Sequence, residues 1–232
     1  MDNDIKKSLH IMEFDDRQLF QIKEGIKSGV DISIFADSRF DSFQMYLIRY
    51  GLEHNLNVSL YADPKFNSAQ MRVIMTMLLR NVKDVELIAD PRYDENQMEE
   101  IGFGLEKNLN VFIYTDMEYS SQQMMEIRLG LEDRLNPTLY AKLEFDYMQM
   151  RQIKDGLKIG LSENQVLLYA KKEYDASQMR QIKMGLKANL DVSKYMDPKL
   201  TWRQMEEIRK KLAKEVRENT EKQELEGDYD DI

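Results

Sequence analysis

One pattern is written eight times along this chain: an aromatic residue, a short polar residue, two variable residues, then Gln-Met, with Ile four and Leu eight places after the Gln. The anchors are Gln18, Gln44, Gln70, Gln97, Gln123, Gln149, Gln178 and Gln204, spaced by 26 to 29 residues. A period of that length belongs to stacked arrays, in which each unit cannot bury its apolar face without the next. It constrains the fold more than length does, because 232 residues would otherwise suit one or two globular domains. A stacked array supplies a surface rather than a reaction.

Each unit carries its own start signal. Asp15, Asp41, Asn67, Asp94, Ser120, Asp146, Asp175 and Thr201 stand three before each Gln. A short side-chain oxygen there accepts from the N3 amide while the N3 Gln reaches back, forming a capping box. The residue before the cap is Phe14, Phe40, Phe66, Tyr93, Tyr119, Phe145, Tyr174 or Leu200. It is placed to staple onto the apolar residue after the Gln. Apolar residues at offsets 1, 4, 8 and 12 from the Gln fall within roughly an 80° arc at 100° per residue, one face of a helix. Offset 11 is Gly29, Asn55, Asn81, Asn108, Gly160 or Asn189, residues suited to a left-handed helix end. Offset 7 is glycine in six units, which close approach of a neighbouring helix explains.

The segment after each long helix, such as Asn57-Val58-Ser59-Leu60-Tyr61-Ala62-Asp63-Pro64, reads as a short second helix capped by Asp or Asn and ended by Pro64, Pro91 or Pro198. Alternation of Val58 with Leu60, Val111 with Ile113 and Ile32 with Ile34 allows a strand instead. Lys194 at the Leu60 position favours the exposed helical site. The expected fold is therefore an all-α solenoid of about eight helix-turn-short-helix repeats, the alternative being an α/β horseshoe resembling leucine-rich repeats. The expected organisation is a single repeat domain over residues 1–212. It has a half repeat at 9–13 and units starting near 14, 40, 66, 93, 119, 145, 174 and 200. Residues 213–232 hold five Glu and three Asp against Lys214, Arg217 and Lys222, and read as an acidic, disordered tail.

The consensus from Gln44 to Asn67 resembles a repeat of uncharacterised tandem-repeat proteins of gut Gram-positive bacteria and their mobile elements. The resemblance covers about residues 9 to 212. It carries no catalytic residues to transfer and implies an accessory or interaction role, in conjugation, phage biology or counter-defence.

Candidate sites are few. His10 and His54 are the only histidines and cysteine is absent, so a zinc site would need carboxylates almost alone. No Gly-rich phosphate loop follows a strand pattern, and no carboxylate is paired with a nucleophile; catalytic, cofactor and metal residues are expected to be none. With no apolar run near the length of a bilayer span and no leader pattern in Met1 to Leu9, the expected location is the cytoplasm. Offset 6 points away from the buried stripe and carries Tyr50, Phe103, Leu129 and Met184, with Glu24 and Lys210 in the terminal units. Polar ends around an apolar middle suggest a strip that docks a protein partner, centred on Phe103 and Leu129; contact with an adjacent unit is the alternative. Lys23, Arg49, Arg128, Lys154, Lys183 and Arg209 at offset 5 form a ladder that could track phosphates, although a net charge of -9 argues against nucleic acid. A third reading makes the chain an acidic inhibitor that fills the basic cleft of a nucleic-acid-binding enzyme.

Overall fold

The computed structural model describes residues 14–227, with side chains to Glu221. Among the described residues there is no strand. Nine α-helices of the described residues run in chain order: α1 (Asp16–Ser28), α2 (Ser42–Glu53), α3 (Ser68–Leu79), α4 (Glu95–Glu106), α5 (Ser121–Glu132), α6 (Tyr147–Lys158), the short α7 (Glu163–Leu167), α8 (Ala176–Lys187) and α9 (Trp202–Gly227). Short 3-10 helices follow α1 to α5 and α8: Ile32–Ile34, Val58–Leu60, Val85–Ile88, Val111–Ile113, Pro137–Leu139 and Val192–Lys194. The all-α reading stands, and the strand alternative for the short segment does not. A valine or isoleucine alternation this brief fits a single 3-10 turn as well as a strand. Lys194 is exposed, as the helical reading requires. Three extra residues in the sixth repeat turn its 3-10 segment into α7, which has its own capping box on Ser162.

The chain divides into two compact units between Ser121 and Gln122, where the repeat pattern predicts one continuous domain. An array has no central core, so its contacts are local in sequence and the pattern carries no mark of where it divides. In the first unit α1 packs on α2, α2 on α3 and α3 on α4; in the second α6 packs on α8 and α8 on α9. The half repeat at 9–13 lies outside the described residues. Over the stretch read as an acidic, disordered tail, residues 213–227 run on from α9 as helix. Glu, Lys, Arg and Leu are good helix formers, and the Lys214–Glu218 pair at i,i+4 adds support. Residues 228–232 lie outside the described residues.

Helix starts follow the sequence closely. Reciprocal capping boxes form at Asp15, Asp41, Asn67, Asp94, Asp146 and Asp175. Thr201 and Gln204 exchange the same pair of bonds. The six left-handed positions are all left-handed, joined by Arg134, which holds the same offset in the fifth repeat without being Gly or Asn, and by Asp84. Asp31 and Asp191 cap their 3-10 helices, whereas Asn57 and Asn110 make no side-chain cap bond.

The glutamine does more than cap. While Oε1 accepts from the cap amide, Nε2 donates to the main-chain carbonyl of the residue before the cap of the next repeat. Gln44 reaches Phe66 (2.6 Å), Gln70 reaches Tyr93 (2.6 Å), Gln149 reaches Tyr174 (2.7 Å) and Gln178 reaches Leu200 (2.6 Å). Gln18, Gln97 and Gln123 make the same bond to Phe40, Tyr119 and Phe145. One buried amide thus fixes both where a helix begins and where the next repeat sits. Around it the methionine after the Gln is fully buried from Met45 to Met205.

The offset 7 glycines answer to their own repeat rather than to a neighbouring helix. Tyr61, Tyr114, Tyr140, Tyr169 and Tyr195, from the 3-10 or α7 segments, are fully or almost fully buried. A Cβ on Gly51, Gly104, Gly130, Gly156 or Gly185 would overlap the tyrosine hydroxyl. Four of those hydroxyls donate to a carbonyl of the same helix, as Tyr61 does to Leu47 (3.2 Å) and Tyr195 to Gln181 (3.2 Å). In the third repeat Met77 replaces the glycine and Ile88 replaces the tyrosine. The pair changes together. Met77 turns to the next helix, where a Cβ on Gly102 would lie 2.8 Å from its Cε.

Candidate functional site

The outward side of α2 carries a row of rings built by helical spacing. Phe43, Tyr46, Tyr50 and His54 stand three or four residues apart, so their side chains lie along one line of the helix. Phe43 stacks on Tyr46 at 5.8 Å between centroids, Tyr46 tilts against Tyr50 at 5.9 Å, and Tyr50 stacks on His54 at 3.9 Å. His54 Nδ1 lies 2.8 Å from the Tyr50 carbonyl, which fixes its ring. The Arg49 guanidinium sits 5.5 Å from the centre of the Tyr46 ring and is held by Glu53 (2.5 Å) and Gln21 (3.1 Å). Phe43 is 48% exposed, and Phe20, at the Tyr46 position of the first repeat, is 54% exposed. Exposed aromatics cost solvation, and a stack of them keeps that surface pre-ordered.

Of the predicted strip, Tyr50 belongs to this row. Phe103 is half-buried and lines a cleft of about 190 Å³ with Arg72, Val73, Thr76, Met77, Arg80 and Glu99. Leu129 is half-buried and Met184 exposed, both in the second unit. Phe103 and Leu129, the expected centre, fall in different units. Phe43 and Tyr46 escaped the sequence reading because they stand at offsets -1 and 2, positions filled by Arg203 and Glu206 in the last repeat. Phe112, 71% exposed beside a groove of about 320 Å³, was missed for a different reason. It occupies the middle of a 3-10 segment, a position held by Ser33, Ser59, Thr138 and Ser193 in other repeats, so no shared apolar offset points to it.

The offset 5 cations are not a free ladder. Arg49 pairs with Glu53, Arg128 with Glu132, Lys154 with Glu126 (2.5 Å), Lys183 with Asp155 (3.5 Å) and Arg209 with Glu206 (3.9 Å). Their side chains are between 8% and 14% exposed. Burial pulls the Lys183 ammonium below its ordinary pKa, with Asp155 opposing. Lys23, in the first repeat, is exposed. Long stems laid over the core and heads held by carboxylates leave little cation to meet phosphate.

Among the described residues no group of three His, Cys, Asp or Glu is placed to hold a metal ion, and no helix is long and apolar enough to cross a membrane. His10 lies outside the described residues. No family model matches the chain, and no curated protein or solved structure is similar to it.

Proposed function

We propose that the chain is a non-catalytic repeat scaffold that binds a protein partner, with the aromatic row of α2 at the centre of the contact. The observation that carries this reading is the stack of Phe43, Tyr46, Tyr50 and His54, pre-ordered and outward-facing beside a pinned arginine. Tyrosine, phenylalanine and arginine dominate the energetic centres of protein interfaces, and rings already held by their neighbours lose little freedom on binding. The second expected reading, an acidic inhibitor acting through its tail, has less support: Lys214 engages Glu218 within the helix, and Glu126 of α5 and Asp155 of α6 engage cations of the same unit.

The test is a cross-linked capture from extract of the native host with the full chain as bait. Replacing Phe43 and Tyr50 by Ser together is expected to reduce the captured protein at least tenfold while circular dichroism and melting stay near those of the parent chain. Undiminished capture by that variant, or capture that collapses in moderate salt and depends on residues 213–232, overturns the reading in favour of an electrostatic one.

A further inference from the structure

At three junctions between consecutive repeats the same rule holds: the third residue after the glutamine bonds the fifth residue after the glutamine of the following repeat, whereas at the junction of α6 and α8 Lys183 pairs with Asp155 and not with Gln152. Arg49 Nε donates to Gln21 Oε1 (3.1 Å), Lys154 Nζ to Glu126 (2.5 Å) and Arg209 Nε to Gln181 Oε1 (3.0 Å). The repeat glutamine adds its amide bond to the next repeat's main chain, as Gln149 does to the Tyr174 carbonyl (2.7 Å).

Two faces among the described residues carry these groups without the neighbour that the rule calls for. On α9, Gln204 is exposed, whereas the glutamines from Gln18 to Gln97, and Gln149 and Gln178, are 5% to 7% exposed. Its Oε1 serves the cap, and its Nε2 has no main-chain acceptor among the described residues. Glu207, at the position of Glu126, is exposed. Lys211 stands where the glycine would admit a tyrosine, and α9 runs on to Gly227 instead of turning into a 3-10 segment. The local pattern of repeats stops here. On α1 the opposite half of the rule is open: Lys23, at the position of Lys154, is exposed, Leu19 is half-buried where Met45 is fully buried, and Ile26 is 37% exposed. The two faces are complementary in charge, Lys23 on α1 answering Glu207 on α9.

We propose that a second copy of this chain docks head to tail, continuing the repeat rule between molecules. Lys23 of one copy pairs with Glu207 of the other, and the Gln204 amide of that other copy donates to the Phe14 carbonyl. Leu19 and Ile26 lose water against α9. The two patches are different surfaces of the chain, so the contact is heterologous, and a pair joined by one such contact keeps one α1 face and one α9 face for further copies. One exposed ion pair at its rim makes the association salt-sensitive.

Sedimentation velocity on the full chain, from micromolar to millimolar, tests this. The expected result is a weight-average mass that climbs past two copies as concentration rises in low salt and returns toward one copy as salt is added. Lys23→Glu alone and Glu207→Lys alone remain monomeric with unchanged melting temperatures, and one chain carrying both changes assembles again. A parent chain that stays monomeric throughout overturns the proposal. So does a species that stops at two copies, a single charge reversal that still assembles, or a double reversal that fails to recover. The residues are not those of the α2 row, so either result leaves the partner reading to its own test.

Discussion

The seams of α2 to α4 and of α5 to α6 occupy the same two positions of the repeat with opposite chemistry. In the first unit those positions hold Leu47 at 1% and Met75 at 8% exposure, then Val73 at 3% and Gly102. In the second they hold Glu126 at 1% and Lys154, with Arg151 adding a second bond to Glu126 (2.7 Å). An apolar seam stabilises by excluding water and tolerates small slips, whereas a buried ion pair recovers little beyond its desolvation cost yet penalises any misaligned neighbour severely. The backbone of the repeat accepts either. The comparison teaches that stability and register are carried by different residues: the glutamine relay and the tyrosine-glycine socket recur in both units, and the seam is free to vary.

The sharpest way to break the comparison is to remove one partner of the ionic seam. Lys154→Ala is expected to cost about 3 to 5 kcal/mol in urea unfolding, because Glu126 stays buried with only Arg151 beside it. Glu126→Leu combined with Lys154→Met should be more stable than Lys154→Ala by most of that loss, whereas a double variant no more stable than the single one would show that the pair itself supplies the stability. Leu47→Ala at the matching apolar position is expected to cost about 2 to 4 kcal/mol, by lost burial and the cavity left behind. The two losses separate by salt. Raising ionic strength should leave the Leu47→Ala difference unchanged and alter that of Lys154→Ala.

The socket shared by both units gives a smaller effect. Gly51→Ala should cost about 1 to 3 kcal/mol by pushing against the Tyr61 hydroxyl, and Tyr61→Phe in the same chain should return part of it. Thermal melting of the four chains of that cycle gives the coupling directly. Smallest at neutral pH is Tyr195→Phe, about 1 kcal/mol for the lost bond to the Gln181 carbonyl. It grows informative in alkali. Burial pushes the Tyr195 hydroxyl from 10.0 up to about 12, so the folded chain keeps a proton that the unfolded chain releases. Its contribution is fully present below pH 10.0 and is lost as pH rises toward about 12. The phenylalanine variant should decline less steeply over that window; an identical slope would sink the assignment.

Much of this fold is legible before any coordinates, because caps, left-handed termini and helical faces are local and the sequence spells each of them repeatedly. Asp146 with Gln149 announces a helix start, and Asn189 announces an end. What escaped was tertiary. The glutamine's second bond joins residues about 22 apart and leaves no trace in local pattern, since a carbonyl has no side chain to select. Gly51 and Tyr61 did vary in step with their counterparts, and the exchange for Met77 and Ile88 in the third repeat was a readable signal that a neighbouring-helix explanation passed over. The aromatic row was half seen through Tyr50. Phe43 and Tyr46 lay outside it because scanning one offset across repeats overlooks what one helix gathers along its own length. The division between Ser121 and Gln122 has no counterpart in the repeat pattern, which continues through it.

Because each glutamine from Gln18 to Gln178 grips a carbonyl, it recognises where the following module lies and is indifferent to which residues that module carries. Interchange follows from that. A whole period can be duplicated, excised or transplanted by recombination with its fastening intact, while loss of even a few residues between Gln44 and Phe66 would pull the clasp from its catch. A lineage built on such a fastening can lengthen its proteins and redraw their outer faces without having to solve the problem of stacking again.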